Sequence, residues 1–176
     1  MGVKIIFLDI DGVLNTEFTP DRCDGFLGIE DRYVENLKKI VDSDKDIRIV
    51  LSSTWRLGYT TYGYKLEHHR EYLESKLSKQ GLCIYDATPE MSRTGESRGQ
   101  EIYQWLKDHK RLRVEQWVVL DDKYFYDFNV YNIIHHWIST NPFSANGGLN
   151  DLKVEQAIRV LNGENAYDVE RNSESI

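Results

Sequence analysis

Apolar residues occur along this chain in two patterns, short continuous runs and helical repeats, which alternate from the N-terminus onward. The continuous runs predict buried strands over residues 3–9, 47–52, 82–85, 117–121 and 133–138. The repeats, with apolar positions three and four residues apart, predict helices over about residues 31–42, 65–79, 97–109 and 151–162. Strands that alternate with helices pair in parallel, so the pattern predicts a three-layer α/β fold whose parallel sheet carries helices on both faces.

The remaining segments predict connections rather than further domains. Residues 15–30 contain one proline and two glycines and are typical of a loop or short hairpin, and residues 56–64 and 86–96 are typical of loops. Residues 124–132 are rich in aromatic side chains and receive no assignment. We expect a single domain over residues 1–165, without room for a large cap, and a flexible polar tail over 166–176.

Composition narrows the possible partners and the compartment. The chain has 176 residues and a net charge of −7, which argues against a broad polyanion-binding surface but not against a local basic groove. No apolar run reaches the roughly 18–20 residues that span a bilayer, and the first apolar run is too short for a signal peptide. The two cysteines form no metal-type cluster in the sequence, with Cys83 expected buried and Cys23 exposed. A reducing, cytoplasmic setting follows as the expectation.

Carboxylates and hydroxyls follow several of the predicted strands. Asp9 and Asp11 come directly after the first strand, and Gly12 permits the turn that brings both carboxylates together. Such concentrated charge at the carboxyl end of a central strand calls for a cation, and hard oxygen ligands favour Mg²⁺. The second strand ends in a Ser52-Ser53-Thr54 cluster, and the strand 117–121 ends in Asp121-Asp122.

The segment Asp9-Ile10-Asp11-Gly12-Val13 resembles the first motif of the haloacid dehalogenase (HAD) superfamily, whose fold is Rossmann-like. The resemblance implies that Asp9 is the nucleophile that accepts the phosphoryl group and that Asp11 is the general acid and base. It also implies Mg²⁺ on the Asp9 carboxylate and on the backbone carbonyl of Asp11. The paired Asp11 favours phosphate chemistry, because the dehalogenases of the family lack the second acid.

The later family motifs follow in order, each with an open alternative. Ser52 matches the second motif, which holds phosphoryl oxygens, and Ser53 is the competing register. Arg98 matches the basic third motif, with Lys123 and Arg56 as rivals. Asp121-Asp122 matches the metal-binding fourth motif, although Asp127 could instead take part. The expected contacts to the substrate come from five residues: Gly12, Ser53, Thr54, Arg56 and Lys123.

The whole pattern resembles the small cap-less HAD domains of RNA-end repair proteins. It implies a Mg²⁺-dependent phosphomonoester hydrolase that acts through an aspartyl-phosphate, with a 5′- or 3′-phosphate on an RNA or DNA end as the expected substrate. The aromatic and basic residues expected to stack on or attract such an end are Trp55, Arg56, Tyr59, Tyr62, Tyr64 and Lys65. Alternatives are a phosphatase of phosphoproteins or small nucleotides, and a non-catalytic HAD-fold binding module. The sequence leaves the oligomeric state open.

Overall fold

The structure, a computed structural model, describes residues 2–57, 64–91 and 97–173, and it leaves out the side chains of residues 64–66. The strands are β1 (Val3–Leu8), β2 (Arg22–Cys23), β3 (Phe26–Leu27), β4 (Ile47–Leu51), β5 (Asp86–Ala87), β6 (Val114–Asp121) and β7 (Trp137–Ser139). The helices are α1 (Asp31–Asp42), α2 (Tyr64–Ser78), α3 (Arg98–Asp108), α4 (Asp127–Val130), α5 (Asp151–Leu161) and α6 (Ala166–Ser173). Short 3₁₀ turns cover Thr54–Arg56, Lys110–Leu112 and Ile133–His136.

The main sheet has five parallel strands in the order β5-β4-β1-β6-β7, which places β1 at its centre. Leu8, the last residue of β1, pairs with Leu51 on one side and Leu120 on the other. Because the strands are parallel, their carboxyl ends meet at one edge of the sheet. The residues that follow β1, β4 and β6 are therefore neighbours in space.

The central strand packs against helices on both sides. Ile6 and Leu8 belong to a core cluster with residues of α1, α2, α5 and α6. Ile5 and Phe7 belong to a second cluster with residues of α3 and α4, where Phe7 meets the edge of the Trp105 ring at 5.4 Å. Alternate strand residues thus bury opposite faces, as a sheet covered on both sides requires. The predicted three-layer α/β fold is confirmed.

Two predicted strands differ in the structure. Residues 82–85 form no strand, although Tyr85 donates a backbone hydrogen bond to Ile49, and β5 comprises only the next two residues. Ile133–His136 form a 3₁₀ turn, and β7 begins only at Trp137. His136 stacks on Trp117 with ring centroids 3.7 Å apart and donates a hydrogen bond to its carbonyl. Local aromatic packing, rather than strand pairing, explains the apolar character of this segment.

The C-terminal segment also differs from its prediction. A helix, α6, covers Ala166–Ser173 where the sequence predicted a flexible tail. Ala166 and Val169, three residues apart on one face, are completely buried in the core, and Glu170 accepts a hydrogen bond from the amide of Ser139. Two apolar side chains suffice to dock this short helix, and its otherwise polar composition conceals them.

The burial of the two cysteines differs from its prediction. Cys23 is buried and Cys83 is exposed, although the sequence predicted the reverse. Cys83 lies at the edge of the sheet, where the two-residue β5 covers only the end of β4. Cys23 lies in the β2–β3 hairpin, which is the one sheet outside the main sheet among the described residues and is far too small to be a cap domain. The expectation of no large cap agrees with this part of the chain.

Candidate active site

The residues selected from the three strand ends come together at the carboxyl edge of the sheet. Asp9 follows β1 and donates its backbone amide to the carbonyl of Leu120 on β6. Ser52 follows β4 and donates its amide to the carbonyl of Leu8 on β1. Asp121 is the last residue of β6, so the parallel register carries nucleophile, hydroxyl and acid candidates to one place.

Asp9, Asp121 and Asp122 form an acidic cluster in which one carboxylate oxygen of each lies within 4.8 Å of the others. The guanidinium of Arg98 enters this cluster from the start of α3. Its Nη1 atom lies 3.5 Å from Oδ1 of Asp9 and 3.2 Å from Oδ2 of Asp121. Three carboxylates thus face one buried arginine, and negative charge is in excess.

The protonation equilibria of the cluster reflect this crowding. Burial raises the pKa of Asp9, while Arg98 and a hydrogen bond from Ser53 oppose the rise. Burial and the neighbouring Asp9 raise the pKa of Asp121 well above its usual range and that of Asp122 to about 6. Burial lowers the pKa of Arg98, but Asp9 and Asp121 outweigh that effect and raise it. The carboxylates need more positive charge than Arg98 provides.

The donor set fits a divalent cation. All three candidate ligands are hard carboxylate oxygens, which suit Mg²⁺. Oδ2 of Asp121 is buried and forms an ion pair with Arg98 but no hydrogen bond within the described part of the chain, so its capacity to accept is not exhausted. Asp11 does not contribute its carboxylate to this cluster. The metal ligands predicted from the sequence therefore divide into three clustered carboxylates and one residue whose carboxylate lies elsewhere.

The carboxylate of Asp11 is held by two donors on different segments. Oδ1 accepts a hydrogen bond from Nδ2 of Asn15, and Oδ2 accepts one from Nε1 of Trp55, both at 3.0 Å. Asn15 also accepts the amide of Gly12 at 2.8 Å, so it clamps the turn. Sequence reasoning missed Asn15, although its position four residues after Asp11, in a loop, is compatible with such a side-chain bond.

Gly12 is required by two independent features of this turn. Its φ of +76° lies in the left-handed region, and a Cβ at this position would lie 2.5 Å from Cβ and Cγ of Asp122. The Asp9–Gly12 turn can therefore approach the end of β6 only when no side chain intervenes. The structure therefore gives Gly12 a steric role, its amide is bound to Asn15, and its contact with a substrate stays a prediction.

The two serines of the second motif have different surroundings. Ser53 lies near enough to Asp9 to lower the pKa of that carboxyl, and its Oγ accepts the amide of Trp55 at 3.4 Å. Oγ of Ser52 is completely buried and has no hydrogen-bond partner within the described residues. Thr54 is exposed at the start of the 3₁₀ turn. Ser53 therefore lies near the nucleophile candidate, whereas Ser52 keeps an unused hydroxyl at the same edge.

Arg56 and Lys123, the alternatives to Arg98 for the basic third motif, have other partners. Arg56 is 4% exposed and forms an ion pair of 2.7 Å with Glu101, which is 1% exposed. It also donates to the carbonyl of Ser53, so it supports the serine loop from inside. The ammonium of Lys123 lies 4.8 Å from the centre of the Phe125 ring, and its amide donates to Oδ1 of Asp121. Arg56 is thus directed toward Glu101 and the serine loop, and its contact with a substrate stays a prediction.

Asp127 stabilises the start of the helix that carries Arg98. Its two carboxylate oxygens accept the amides of Gly99 and Gln100 at 3.1 and 2.9 Å. A carboxylate at a helix N-terminus satisfies unpaired N–H groups and complements the helix dipole. Asp127 therefore holds α3 in place and lies outside the acidic cluster, which contradicts its alternative assignment as a metal ligand.

The expected stacking residues are largely absent from the exposed surface that the structure describes. Trp55 is buried and directed toward Asp11, and Arg56 is buried in its ion pair. Tyr59 and Tyr62 lie outside the described residues, as do the side chains of Tyr64 and Lys65. Trp55 and Arg56 are therefore engaged inside the protein, and contact of this segment with a nucleic-acid end stays a prediction.

A parallel α/β sheet with clustered aspartates after its central strand defines a HAD-type domain. Comparison with family models matches residues 5–153 to the HAD domain in Swiss Army Knife RNA repair proteins. The match spans most of the chain, so this protein belongs to that family, and the resemblance inferred from its motifs is confirmed. A search of curated proteins found no match. No helix within the described ranges is long and apolar enough to cross a bilayer.

Family membership adds chemical meaning to the acidic cluster. HAD domains generally use Mg²⁺, and the buried cluster of Asp9, Asp121 and Asp122 could bind such an ion. A HAD domain of RNA repair proteins also indicates a hydrolase of the phosphatase type.

Proposed function

We propose that this protein is a Mg²⁺-dependent phosphomonoester hydrolase in which Asp9 is the nucleophile. The observation that carries the proposal is the position of Asp9. It lies buried at the end of the central strand, 3.5 Å from Arg98 and in one cluster with Asp121 and Asp122. A carboxylate so placed can attack phosphorus while positive charge offsets its repulsion from the phosphoryl oxygens.

The reaction proceeds in two halves. An oxygen of Asp9 forms a bond to phosphorus as the bond to the leaving oxygen breaks, and Asp11 donates a proton to that oxygen. Asp11 then removes a proton from a water molecule, which attacks phosphorus and releases phosphate from Asp9. Asn15 and Trp55 orient the Asp11 carboxylate for both proton transfers, since each donates a hydrogen bond to it.

Charge stabilisation comes from residues around the nucleophile. Mg²⁺, held by the carboxylates of Asp9 and of Asp121 or Asp122 and by the Asp11 carbonyl, would neutralise charge between nucleophile and phosphate. The guanidinium of Arg98 binds phosphoryl oxygens and also fixes Asp9. The hydroxyls of Ser52, Ser53 and Thr54 supply further hydrogen bonds to the phosphoryl group.

We propose a polynucleotide 5′- or 3′-phosphate as the substrate. Family membership supports this choice, and so do exposed aromatic rings on the loops that follow β1, β6 and β7 at the catalytic edge. These rings are Phe18, Tyr124, Tyr126 and Phe143, with Tyr126 and Phe143 85% and 77% exposed. Bases stack on such rings with little sequence preference. The absence of a large cap among the described residues leaves the edge open to an extended substrate.

The test is phosphate release from a panel of substrates in the presence of Mg²⁺. The panel holds an aryl phosphate, mononucleotides, a phosphopeptide and oligonucleotides phosphorylated at the 5′ or the 3′ end. Asp9→Asn serves as the inactive variant and Asp42→Asn, an exposed aspartate on α1, as its matched control. Preference for oligonucleotide ends supports the whole proposal, and equal activity on mononucleotides would contradict its substrate. Full activity of Asp9→Asn would contradict the mechanism, and inactivity on every substrate would favour a binding module.

A further inference from the structure

A second group of potential metal ligands lies in the β2–β3 hairpin, apart from the acidic cluster. Cys23 and Asp24 of the hairpin and His69 of α2 each place one ligand atom within 4.8 Å of the other two. We propose that Cys23, Asp24 and His69 form a binding site for a zinc ion. The site is distinct from the proposed catalytic centre and does not depend on the proposed function.

The chemistry of the donors selects zinc over the alkaline-earth ions. A thiolate, an imidazole and a carboxylate are all common ligands of Zn²⁺, whereas Mg²⁺ and Ca²⁺ require oxygen donors. Three protein ligands leave the fourth tetrahedral position for water. The acidic cluster offers only oxygen atoms, so the two sites select different ions.

The environment of His69 supplies a second, independent observation. Its Nε2 atom is buried and has no hydrogen-bond partner within the described ranges of the chain. Its ring is held between the rings of Phe26 and Trp55, each with a centroid distance of 5.1 Å. Buried polar nitrogens are normally paired, so an unpaired one in a fixed ring beside a thiol and a carboxylate points to an ion as its partner.

Asp24 is held by a contact of the kind that supports metal ligands. One of its carboxylate oxygens lies 2.7 Å from Nδ1 of His68, which leaves the other oxygen for an ion. Hydrogen bonds of this type orient the ligating carboxylates of metal sites. Asp24 also adopts a φ of +51°, which turns the hairpin at this residue.

Binding requires at most a small contraction of the site. Bonds of about 2.0–2.3 Å in a tetrahedron separate neighbouring ligand atoms by about 3.3–3.8 Å, and the ligand atoms already lie within 4.8 Å of one another, so no pair needs to approach by more than about 1.5 Å. The hairpin can supply this movement, since Asp24 and Gly25 are exposed and nothing lies within 4 Å of the open side of Gly25. Two-residue strands hold the hairpin by few hydrogen bonds, so an ion would add substantially to its stability.

The proposed ion would lie next to the residue that orients Asp11. The ring of Trp55 contacts His69 on one side, and its Nε1 donates to Asp11 on the other. The zinc ligands touch none of the proposed reacting atoms, so the role we assign to the ion is to hold two segments of the chain together. It would fix the hairpin and α2 around Trp55.

The experiment is a titration of the full chain with Co²⁺ under reducing conditions, followed by displacement with Zn²⁺. A thiolate ligand produces an intense sulfur-to-cobalt charge-transfer band in the near ultraviolet, which the oxygen ligands of the acidic cluster cannot produce. We expect this band at one equivalent, its loss in Cys23→Ser and His69→Asn, and its retention in Cys83→Ser, which removes the exposed cysteine. Asp24→Asn, an exposed change with little risk to folding, should weaken cobalt binding at least tenfold.

Zinc should also raise the thermal midpoint of the wild type and of Cys83→Ser by more than it raises that of Cys23→Ser, which keeps only the acidic cluster. Absence of the charge-transfer band in the folded wild type would overturn the proposal. So would a band that persists in Cys23→Ser and disappears in Cys83→Ser. Cobalt absorption without a thiolate band, abolished by Asp121→Asn, would assign all binding to the acidic cluster and equally overturn it.

Discussion

Two buried arginines face the same region of the sheet edge and serve different purposes. Arg56 meets one carboxylate, that of Glu101, at 2.7 Å, and the charges of this pair cancel. Arg98 meets Asp9 and Asp121 at 3.5 and 3.2 Å, with Asp122 in the same cluster, so negative charge remains in excess. Both side chains are at least nine-tenths buried, so exposure does not distinguish them.

The difference lies in charge balance. An arginine whose charge is balanced by one carboxylate stabilises the fold and has no excess negative charge beside it that would attract a further cation. An arginine outnumbered by carboxylates keeps those carboxylates ionised only in part and leaves room for a further cation. Counting charges around each arginine therefore assigns Arg56 to structure and Arg98 to the site, a distinction that neither residue type nor burial supplies.

The largest effect is expected from the carboxylate beside Arg98. Asp9→Asn keeps the size of the side chain but removes the nucleophile, so kcat on the best substrate should fall at least about 1,000-fold. The measurement is steady-state phosphate release, with Asp42→Asn expected to retain wild-type activity. If kcat of Asp9→Asn lay within tenfold of the wild-type value, Asp9 would not be the nucleophile.

Breaking the balanced pair should affect stability first. Arg56→Met leaves the Glu101 carboxylate buried and unpaired, which should lower the free energy of unfolding by about 3–5 kcal/mol. Urea denaturation measures this loss, and the double variant Arg56→Met/Glu101→Leu should recover part of it. A single variant as stable as wild type would show that the pair contributes nothing to the fold.

The positions of the main site residues could be predicted from the sequence, but the balance of charge around each arginine could not. The positions of Asp9 and Asp121 followed from apolar runs with polar ends, because register in a parallel sheet is fixed by local hydrophobic pattern. Arg98, at the start of a helix, was selected only through the family resemblance. The partner of Arg56 lies 45 residues away in sequence, and no spacing rule connects it to Glu101. Long-range pairing of this kind depends on how helices dock on the sheet.

Dependence on helix docking also explains why other residues differ from their predicted roles. Asp127 resembled a metal ligand in sequence, yet it caps α3, and only the docking of α4 against that helix brings it there. Cys23 and His69 lie in separate segments, so the sequence could not indicate that they meet. Ala166 and Val169 were too few to predict a helix, although two buried side chains are enough to dock one.

A smaller effect should follow from removing one of the negative charges that surround Arg98. Burial and Asp9 raise the pKa of Asp122 from 3.8 to about 6 in the metal-free protein. The folded state thus holds this proton more tightly than the unfolded chain, so stability falls as the pH rises from about 4 to about 6 and stays reduced above that. Asp122→Asn should therefore stabilise the chelator-treated protein at pH 7 by about 1–2 kcal/mol and leave it unchanged near pH 4.

The effect of Mg²⁺ on thermal stability tests whether Asp122 binds the ion. Added Mg²⁺ should raise the thermal midpoint of the wild type at pH 7 and should raise that of Asp122→Asn much less, because one ligand is lost. Differential scanning calorimetry with and without chelator measures both effects. Equal stabilisation by Mg²⁺ in the two proteins would show that Asp122 does not bind the ion.

The smallest effect is expected outside both arginine environments, at the aromatic rim. Phe143→Ala removes an exposed ring on the loop after β7, which should raise KM for a phosphorylated oligonucleotide about fivefold or more. KM for an aryl phosphate should not change, since a small substrate does not reach the rim. Equal changes for the two substrates would indicate altered chemistry rather than lost stacking.

The role of Asp9 as nucleophile is tested most directly by trapping phosphate on its carboxylate. A reaction quenched during turnover is reduced with borohydride, which converts an aspartyl-phosphate to homoserine, and peptide mass spectrometry then locates the change. We expect homoserine at position 9 only when substrate and Mg²⁺ are both present, and none in Asp9→Asn. Unmodified Asp9 in an enzyme that is turning over, or homoserine at another aspartate, would show that Asp9 is not the nucleophile.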